Sequence, residues 1–441
     1  MTSGRAELRK ALSEVCGDVR GDSVGGGDAG GGDVSLGGGD AGGGDVSLGG
    51  GGRLAASPAS TQEAAALLRV AAGLGLAVVV RGGGSRLSWG TPPSHCDLVI
   101  DTARMPAILE HEAGDLVARV QAGARMGDVA AQLARAGQEI ALDVPAFATV
   151  GGVVASGLAG PRRLHYGTPR DLLIGITVVR ADGTVAKAGG KVVKNVAGYD
   201  LGKLFAGSAG TLGLITEVTF RLHPLPAARA WVTAGYLAVP AACDAVAAAA
   251  NSPLTPSAVE LSWPGPGAPF QVGVLLEGSA AGVSARAARM AGLLGPASVA
   301  AGPPDWWPPA PAAGPGETLV QVSFWVSALD RVLDAIDTAA AKTGLFPAVA
   351  GSAGAGVLYA RLGPAPDGAG AFVATLRAAL AGQRGGVTVL AAPAGVRTEL
   401  APHGGMTGPV PGLALMRAVK DQFDPEHRLA PGQFPDLAVG A

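Results

Sequence analysis

Cysteine is scarce: Cys16, Cys96 and Cys243 are far apart, odd in number and form no C-x-x-C pair. A disulfide framework, a structural zinc site and an iron–sulfur cluster held by this chain are therefore not expected. Charge is sparse too, at 15% of residues, with a formal net charge of −2. No strongly basic or acidic block occurs, which argues against nucleic acid or an anionic membrane as the main partner. No uninterrupted apolar stretch reaches the roughly 18 residues that a spanning helix needs. Met1 to Arg20 lacks the apolar region of a signal peptide. The expected location is cytoplasmic, with any membrane contact made at its inner face through a partner. Two nucleotide-binding signatures are also missing. There is no G-x-x-x-x-G-K-[ST], and the loop 82–87 ends in Leu87 where a Rossmann fingerprint needs its third glycine.

What is abundant is glycine, 71 residues, beside 32 prolines and a 48% hydrophobic fraction inflated by alanine. The length of 441 residues suffices for two or more domains. Residues 25–36 read GGGDAGGGDVSL and 37–48 repeat them. Such a tract has little to bury and cannot offset its ordering entropy, so 25–52 is expected to be a disordered linker or repeat expansion. Its aspartates recur every five, then seven, residues, which does not fit a calcium-binding nonapeptide roll. No metal site is expected anywhere in the chain.

Beyond this tract the chain is regular. Ser60-Thr61-Gln62-Glu63 reads as a capping box opening a helix that ends at Gly73. Ala77–Val80, 97–101 and 116–121 read as strands, and 126–136 as a helix stopped by Gly137. Asp182-Gly183 reads as a two-residue hairpin turn between strands 172–180 and 184–187. From about 228 the chain is rich in Ala, Pro and Gly, with strands at 271–276 and 319–325. A last helix, 413–423, carries Leu413, Met416 and Lys420/Phe423 at helical spacing before Asp424-Pro425.

Three glycine clusters, each joined to a strand or helix, carry the chemical signal: 82–85, 149–160 and 207–213. A pyrophosphate needs several backbone N–H donors converging on it with no side chain in the way. Glycine supplies both the close approach and the positive-φ conformations. Small residues on one face likewise let a flat ring approach the backbone.

Three strings make the reading specific: VVVRGGGSRLSWG, ATVGGVVASGLAGPRR with HYGTPRDLLIGITVVRADG, and KNVAGYDLGKLFAGSAGTLGLITEVTFRLHP. They resemble the flavin-contacting segments of the vanillyl-alcohol-oxidase family, whose FAD domain is called PCMH-type. Within it, LAGPRR and KNVAGYDLGKLFAGS are most similar to the FAD-binding subunits, of the E type, of glycolate oxidases. The similarity is strong over about 55–228 and returns in AVKDQFDPEHRLAPGQF. The resemblance implies an α+β chain with a PCMH-type, two-subdomain FAD-binding domain followed by a second α+β cap domain. The expected boundaries are 1–24 for the N-terminal segment of the FAD domain, 25–52 for the insertion, 53–228 for the FAD domain and 229–441 for the cap. The C-terminal helix is expected to return to the FAD domain.

By the same resemblance Gly82, Gly83, Gly84 and Ser85, flanked by Arg86, hold the pyrophosphate. Thr149, Gly151, Gly152, Ser156, Gly157 and Gly160 line the flavin and its ribityl chain, Tyr166 and Gly167 close that wall, and Ile215 meets the ring through its backbone. Relatives that bind FAD covalently use a histidine in or near the first loop. Glycine and serine stand there in this chain, so non-covalent FAD is expected. Where the family often carries a glutamate in the third cluster, this chain has Ala209.

Oxidising a 2-hydroxy acid requires a cation for the carboxylate and a base or metal for the hydroxyl proton. The family's H-x-G-D-G-N-x-H motif is absent; Pro402-His403-Gly404-Gly405-Met406 is the nearest string. Catalytic residues are therefore not assignable from sequence. Arg162 and Arg163 fit either an anion site or an interface, and Trp306-Trp307 either an interface anchor or a core contact. The main expectation is an auxiliary FAD subunit, partnered by a homologous catalytic flavoprotein and an iron–sulfur subunit in a complex that oxidises glycolate to glyoxylate. A free-standing FAD oxidoreductase of a small hydroxy acid or polyol, and a non-redox chain keeping only the fold, remain open.

Overall fold

The computed structural model describes residues 2–21, 53–191, 199–307, 311–364 and 367–433. The repeat tract 25–52 and the start of the KNVAGYD string lie outside them.

Three layers build the chain, each dictated by its burial pattern. The first sheet has the spatial order Val19–Gly21, Leu54–Ala56, Leu98–Asp101, Val78–Arg81. Its last three strands run parallel, and the helix Thr61–Gly73 makes the crossover. Val78, Val79, Leu98, Val99 and Ile100 are at most 1% exposed, as an apolar run covered on both faces should be. The helix starts as expected: the Ser60 side chain accepts from the Glu63 amide. The Glu63 carboxylate, however, reaches the Ala59 amide at 3.0 Å rather than that of Ser60. The left-handed glycine after the helix is Gly75, φ 65°, not Gly73.

The second sheet is antiparallel, in the order Ile108–Glu112, Val117–Gln121, Leu214–Arg221, Leu173–Val179, Val185–Gly189. Its last hairpin differs from the two-residue expectation. Arg180 donates to the Thr184 carbonyl at 2.9 Å, leaving the three-residue loop Ala181-Asp182-Gly183. Gly183 alone takes positive φ, 79°; a two-residue type I′ turn requires it at both central positions.

The third layer is an eight-stranded antiparallel sheet. Its order is Ser298–Ala300, Ala228–Tyr236, Phe270–Gly278, Ala258–Trp263, Ala348–Gly351, Val357–Leu362, Thr318–Phe324, Gly385–Ala391. Strand alternation divides it into two faces. Val232, Val259, Leu261, Val274, Val320, Leu358 and Val389 share one core with Val246, Met290, Ile336 and Phe372 of the covering helices. The alternate residues, among them Glu260, Gln321, Tyr359 and Thr388, lie on the opposite face. Trp306 and Trp307 cover part of that face: a Cβ on Gly273 would come within 2.6 Å of Trp306.

The helix Leu413–Phe423 packs back on the second sheet, with the Phe423 ring edge-on to Phe205 at 5.4 Å. Lys420, 2% exposed, donates to the carbonyls of Thr211 at 2.7 Å and Leu429 at 3.1 Å. Leu429 then bridges to Val78 in parallel at the edge of the first sheet. Of the expected stripe Lys420 and Phe423 make the seam, together with Val419, whereas Met416 is 42% exposed. Among the described residues no helix is long and apolar enough to cross a membrane.

Candidate functional site

The three glycine clusters meet in one cleft. Its empty space, including the open mouth, is about 1210 Å³. The mutual approach of the clusters explains their glycines. A Cβ at Gly82 would fall 2.1 Å from Thr149 Oγ1, so the first loop lies directly on the second. That hydroxyl also accepts from the Gly83 and Gly152 amides, each at 3.3 Å. Gly157, φ 65°, ends the helix Val150–Ser156, and the third cluster docks there through Gly207 N to Val154 O and Ala209 N to Ala155 O.

Ten of the expected residues line the cleft: Gly82, Gly83, Gly84, Ser85, Arg86, Thr149, Gly151, Gly152, Ser156 and Ile215. Gly157, Gly160, Tyr166 and Gly167 are not among its lining residues. Gly160 permits close packing instead, since a Cβ there would meet the Asp143 carbonyl at 2.6 Å. Gly167, φ 84°, fits against Asp171. The Tyr166 ring stands between His165 and His223 at 4.7 and 4.8 Å. Burial, then the charge of Glu277, pushes its hydroxyl up to about 12. The lining also includes Trp89, Thr102, Gly207, Ala209, Gly210 and Gln433. The Gly207–Gly213 signal was visible in the sequence, and Trp89 and Gln433 lie in the resembling strings without having been singled out, but Thr102 carried no signal.

Arg162 and Arg163 separate in function. Arg162, 7% exposed, reaches Asp143 at 2.7 Å, Glu139 at 2.8 Å and Glu277 at 3.5 Å. Arg229 joins the same group through Glu277 at 2.8 Å. Glu139 and Asp143 precede the second glycine cluster, whereas Glu277 and Arg229 belong to the eight-stranded sheet. Arg162 is thus committed to binding the two parts of the chain together. Arg163 turns the other way and donates to the Tyr359 hydroxyl at 3.1 Å. His403 is exposed, and its carbonyl accepts from Arg377 at 2.6 Å.

One group that sequence reasoning missed is Glu260, 1% exposed, with Oε1 lacking any hydrogen-bond partner among the described residues. Desolvation pushes its carboxyl up to about 8, against the lowering influence of Ser352 and Arg163; Asp143 adds to the rise. The folded state therefore keeps a proton that the unfolded state releases near its ordinary 4.5. This contribution to stability is fully present below that value and is lost as pH rises through about 8. Glu260→Gln is expected to remove the dependence, so that denaturation midpoints of the two proteins diverge between about pH 5 and pH 8. The variant should gain on the order of 3–5 kcal/mol relative to the parent across that window. Parallel midpoints at both pH values would show that the carboxyl is not held neutral.

The family model for the FAD binding domain matches residues 53–189, and that for the C-terminal domain of FAD linked oxidases matches 312–434. The chain has the PCMH-type FAD-binding fold with a C-terminal FAD-oxidase domain. Its cofactor is FAD, and the cleft suits it: bare glycine backbone at 82–84, a flat wall of small residues, and the Arg86 cation inside. Glycolate oxidase subunit GlcD of Bacillus subtilis is 35% identical over 210 residues, 46% of this chain and 44% of that protein. Glycolate oxidase subunit GlcE of Escherichia coli is 37% identical over 154 residues, 34% of this chain and 43% of that protein. D-lactate dehydrogenase of Archaeoglobus fulgidus is 38% identical over 172 residues, 38% of each chain. This FAD-binding chain thus spans less than half the length of these curated relatives. Among solved structures, an alkyldihydroxyacetonephosphate synthase aligns with TM-score 0.65 at 17% identity, over 86% of this chain and 75% of that one. A xylooligosaccharide oxidase from Myceliophthora thermophila aligns with TM-score 0.62 at 19% identity, over 87% and 92%. These two establish the fold.

Proposed function

We propose that this chain holds FAD non-covalently and serves the oxidation of a small 2-hydroxy acid, of the glycolate type, to the 2-oxo acid. In this reading it is the auxiliary flavoprotein of a complex. A homologous flavoprotein supplies the acceptor for the hydroxyl proton, and an iron–sulfur chain carries electrons onward. The observation that carries the proposal is the cleft, where all three glycine clusters meet around one partly open space. Similarity to two glycolate oxidase subunits and a D-lactate dehydrogenase supports the substrate class. The missing histidine motif supports the auxiliary role. Non-covalent binding is supported by a lining with no histidine, cysteine or tyrosine among the described residues.

When bound, FAD supplies the hydride acceptor. The chain's residues bind and orient it. The glycine amides and Ser85 take the pyrophosphate, the helix Val150–Ser156 and Ile215 wall the ring system, and Arg86 adds positive charge. A second reading, that this chain oxidises the acid by itself, is favoured by the buried Glu260 carboxyl on the open face of the eight-stranded sheet. One experiment separates the two. The purified chain is expected to show flavin absorbance that anaerobic glycolate leaves unbleached, while the assembled complex bleaches. Bleaching of the isolated chain establishes the second reading. Absence of flavin from the chain, with none taken up on incubation, would sink both.

A further inference from the structure

The first and third glycine clusters both line the cleft, and one buried side chain joins the segments that carry them. Lys420 Nζ donates to the Thr211 carbonyl, inside the third cluster, at 2.7 Å and to the Leu429 carbonyl at 3.1 Å. Its third partner is the carboxylate of Asp424, 0% exposed, at 2.5 Å. All three ammonium protons are thus spent. Asp424 in turn accepts from the amides of Arg428 at 3.1 Å and Leu429 at 2.7 Å. From there the chain runs beside Val78. The Arg428 carbonyl accepts from the Val78 amide, and the Val78 carbonyl accepts from the Ala430 amide, each at 2.8 Å. Val78 opens the strand Val78–Arg81, which runs directly into Gly82–Gly84. The Pro431 carbonyl then accepts from the Ser94 amide at 2.7 Å, and Gln433 lines the cleft itself. Packing alone does not call for this course. His427 and Ala430 take positive φ, 53° and 46°, as does Ala209 of the third cluster, 53°. Such backbone is costly for residues with a side chain, and it persists where the surroundings over-determine it, as at ligand clamps. A buried ion pair likewise gives no stability that apolar side chains of the same size would not give.

We propose that Lys420 is a positioning residue of the FAD site, and that residues 424–433 form a clasp which it seats. The clasp sets the third glycine cluster against the strand that feeds the first. It also brings to the cleft Gln433, whose carboxamide offers both donors and an acceptor. Seating and cofactor binding are therefore reciprocal: FAD tightens the clasp by the factor by which the seated clasp tightens FAD. The inference rests on the reading that FAD fills the cleft. It does not rest on glycolate oxidation or on an auxiliary role.

The test uses the full chain, stripped of FAD and reloaded. Gln433→Ala leaves Lys420 and Asp424 in place and should bind FAD about tenfold more weakly, read by titrating the stripped chain with FAD and following flavin fluorescence. Lys420→Met combined with Asp424→Asn removes both charges together, so the stripped chain should melt near the parent. It should nevertheless bind FAD at least about tenfold more weakly. In the parent, hydrogen exchange at the Leu429 and Ala430 amides should slow at least about tenfold on FAD loading. Parent-like FAD affinity in either variant, or exchange at those amides that FAD does not slow, overturns the clasp and leaves FAD binding intact. A double variant that melts far below the parent, yet whose folded fraction binds FAD as the parent does, marks the pair as structural only and also overturns it. Should the double variant fail to fold, Gln433→Ala and the exchange rates decide. A parent chain that takes up no FAD removes both this inference and the reading on which it rests.

Discussion

Gly152→Leu is expected to fold normally and to purify almost free of flavin. Gly152 lies in the first turn of the helix Val150–Ser156 and points into the cleft. A Cβ there would meet the Thr149 hydroxyl at 3.0 Å and nothing else nearby. A larger side chain therefore occupies ligand space rather than the core, and leucine is a better helix former than glycine. The expected loss is at least about 100-fold in FAD affinity, read from the ratio of flavin absorbance to protein absorbance. A thermal melt of the stripped protein checks the fold. Gly151 is the useful contrast: its Cβ would strike the Ala122 side chain at 2.8 Å, so Gly151→Leu should fail in packing. A yellow Gly152→Leu protein would mean that the flavin does not lie along this helix.

Arg162→Met should produce the largest loss of stability away from the cleft. Methionine keeps much of the apolar stem but removes the charge that Glu139, Asp143 and Glu277 share. Arg229 continues to hold Glu277 at 2.8 Å and Glu139 at 3.7 Å, which leaves Asp143 without its ion-pair partner. Removing one member of a buried ion group costs about 3–5 kcal/mol, because the remaining charges stay desolvated. Because the group joins the second glycine cluster to the eight-stranded sheet, limited proteolysis at that junction should accelerate. A denaturation midpoint indistinguishable from the parent would show that Arg162 is not the clamp its geometry describes.

The glycine clusters were legible because their function is local. A backbone that must approach a ligand or another loop needs glycine at fixed positions, and Gly82, Gly83, Gly84, Gly151 and Gly152 all line the cleft. Gly160 and Gly167 belong to the same strings but relieve contacts with Asp143 and Asp171. A sequence pattern does not distinguish a glycine that admits a ligand from one that admits a neighbouring chain segment. The C-terminal helix shows a similar limit. Its bounds, Leu413–Phe423, were readable from Asp424-Pro425, but the buried side is set by Thr211 and Leu429, which Lys420 reaches from a distance in sequence.

The sequence by itself determined the class of cofactor domain, the three cleft-lining glycine clusters and the bounds of the elements next to them, because each depends on residues close together in the chain. Tertiary structure alone decided the pairing of Arg162 with Glu277 and of Arg163 with Tyr359, and the burial of Glu260. Strand order explains why. Ala258–Trp263, Ala348–Gly351 and Val357–Leu362 become neighbours only when the eight-stranded sheet closes. The environment that holds a carboxyl neutral does not exist until those strands are side by side.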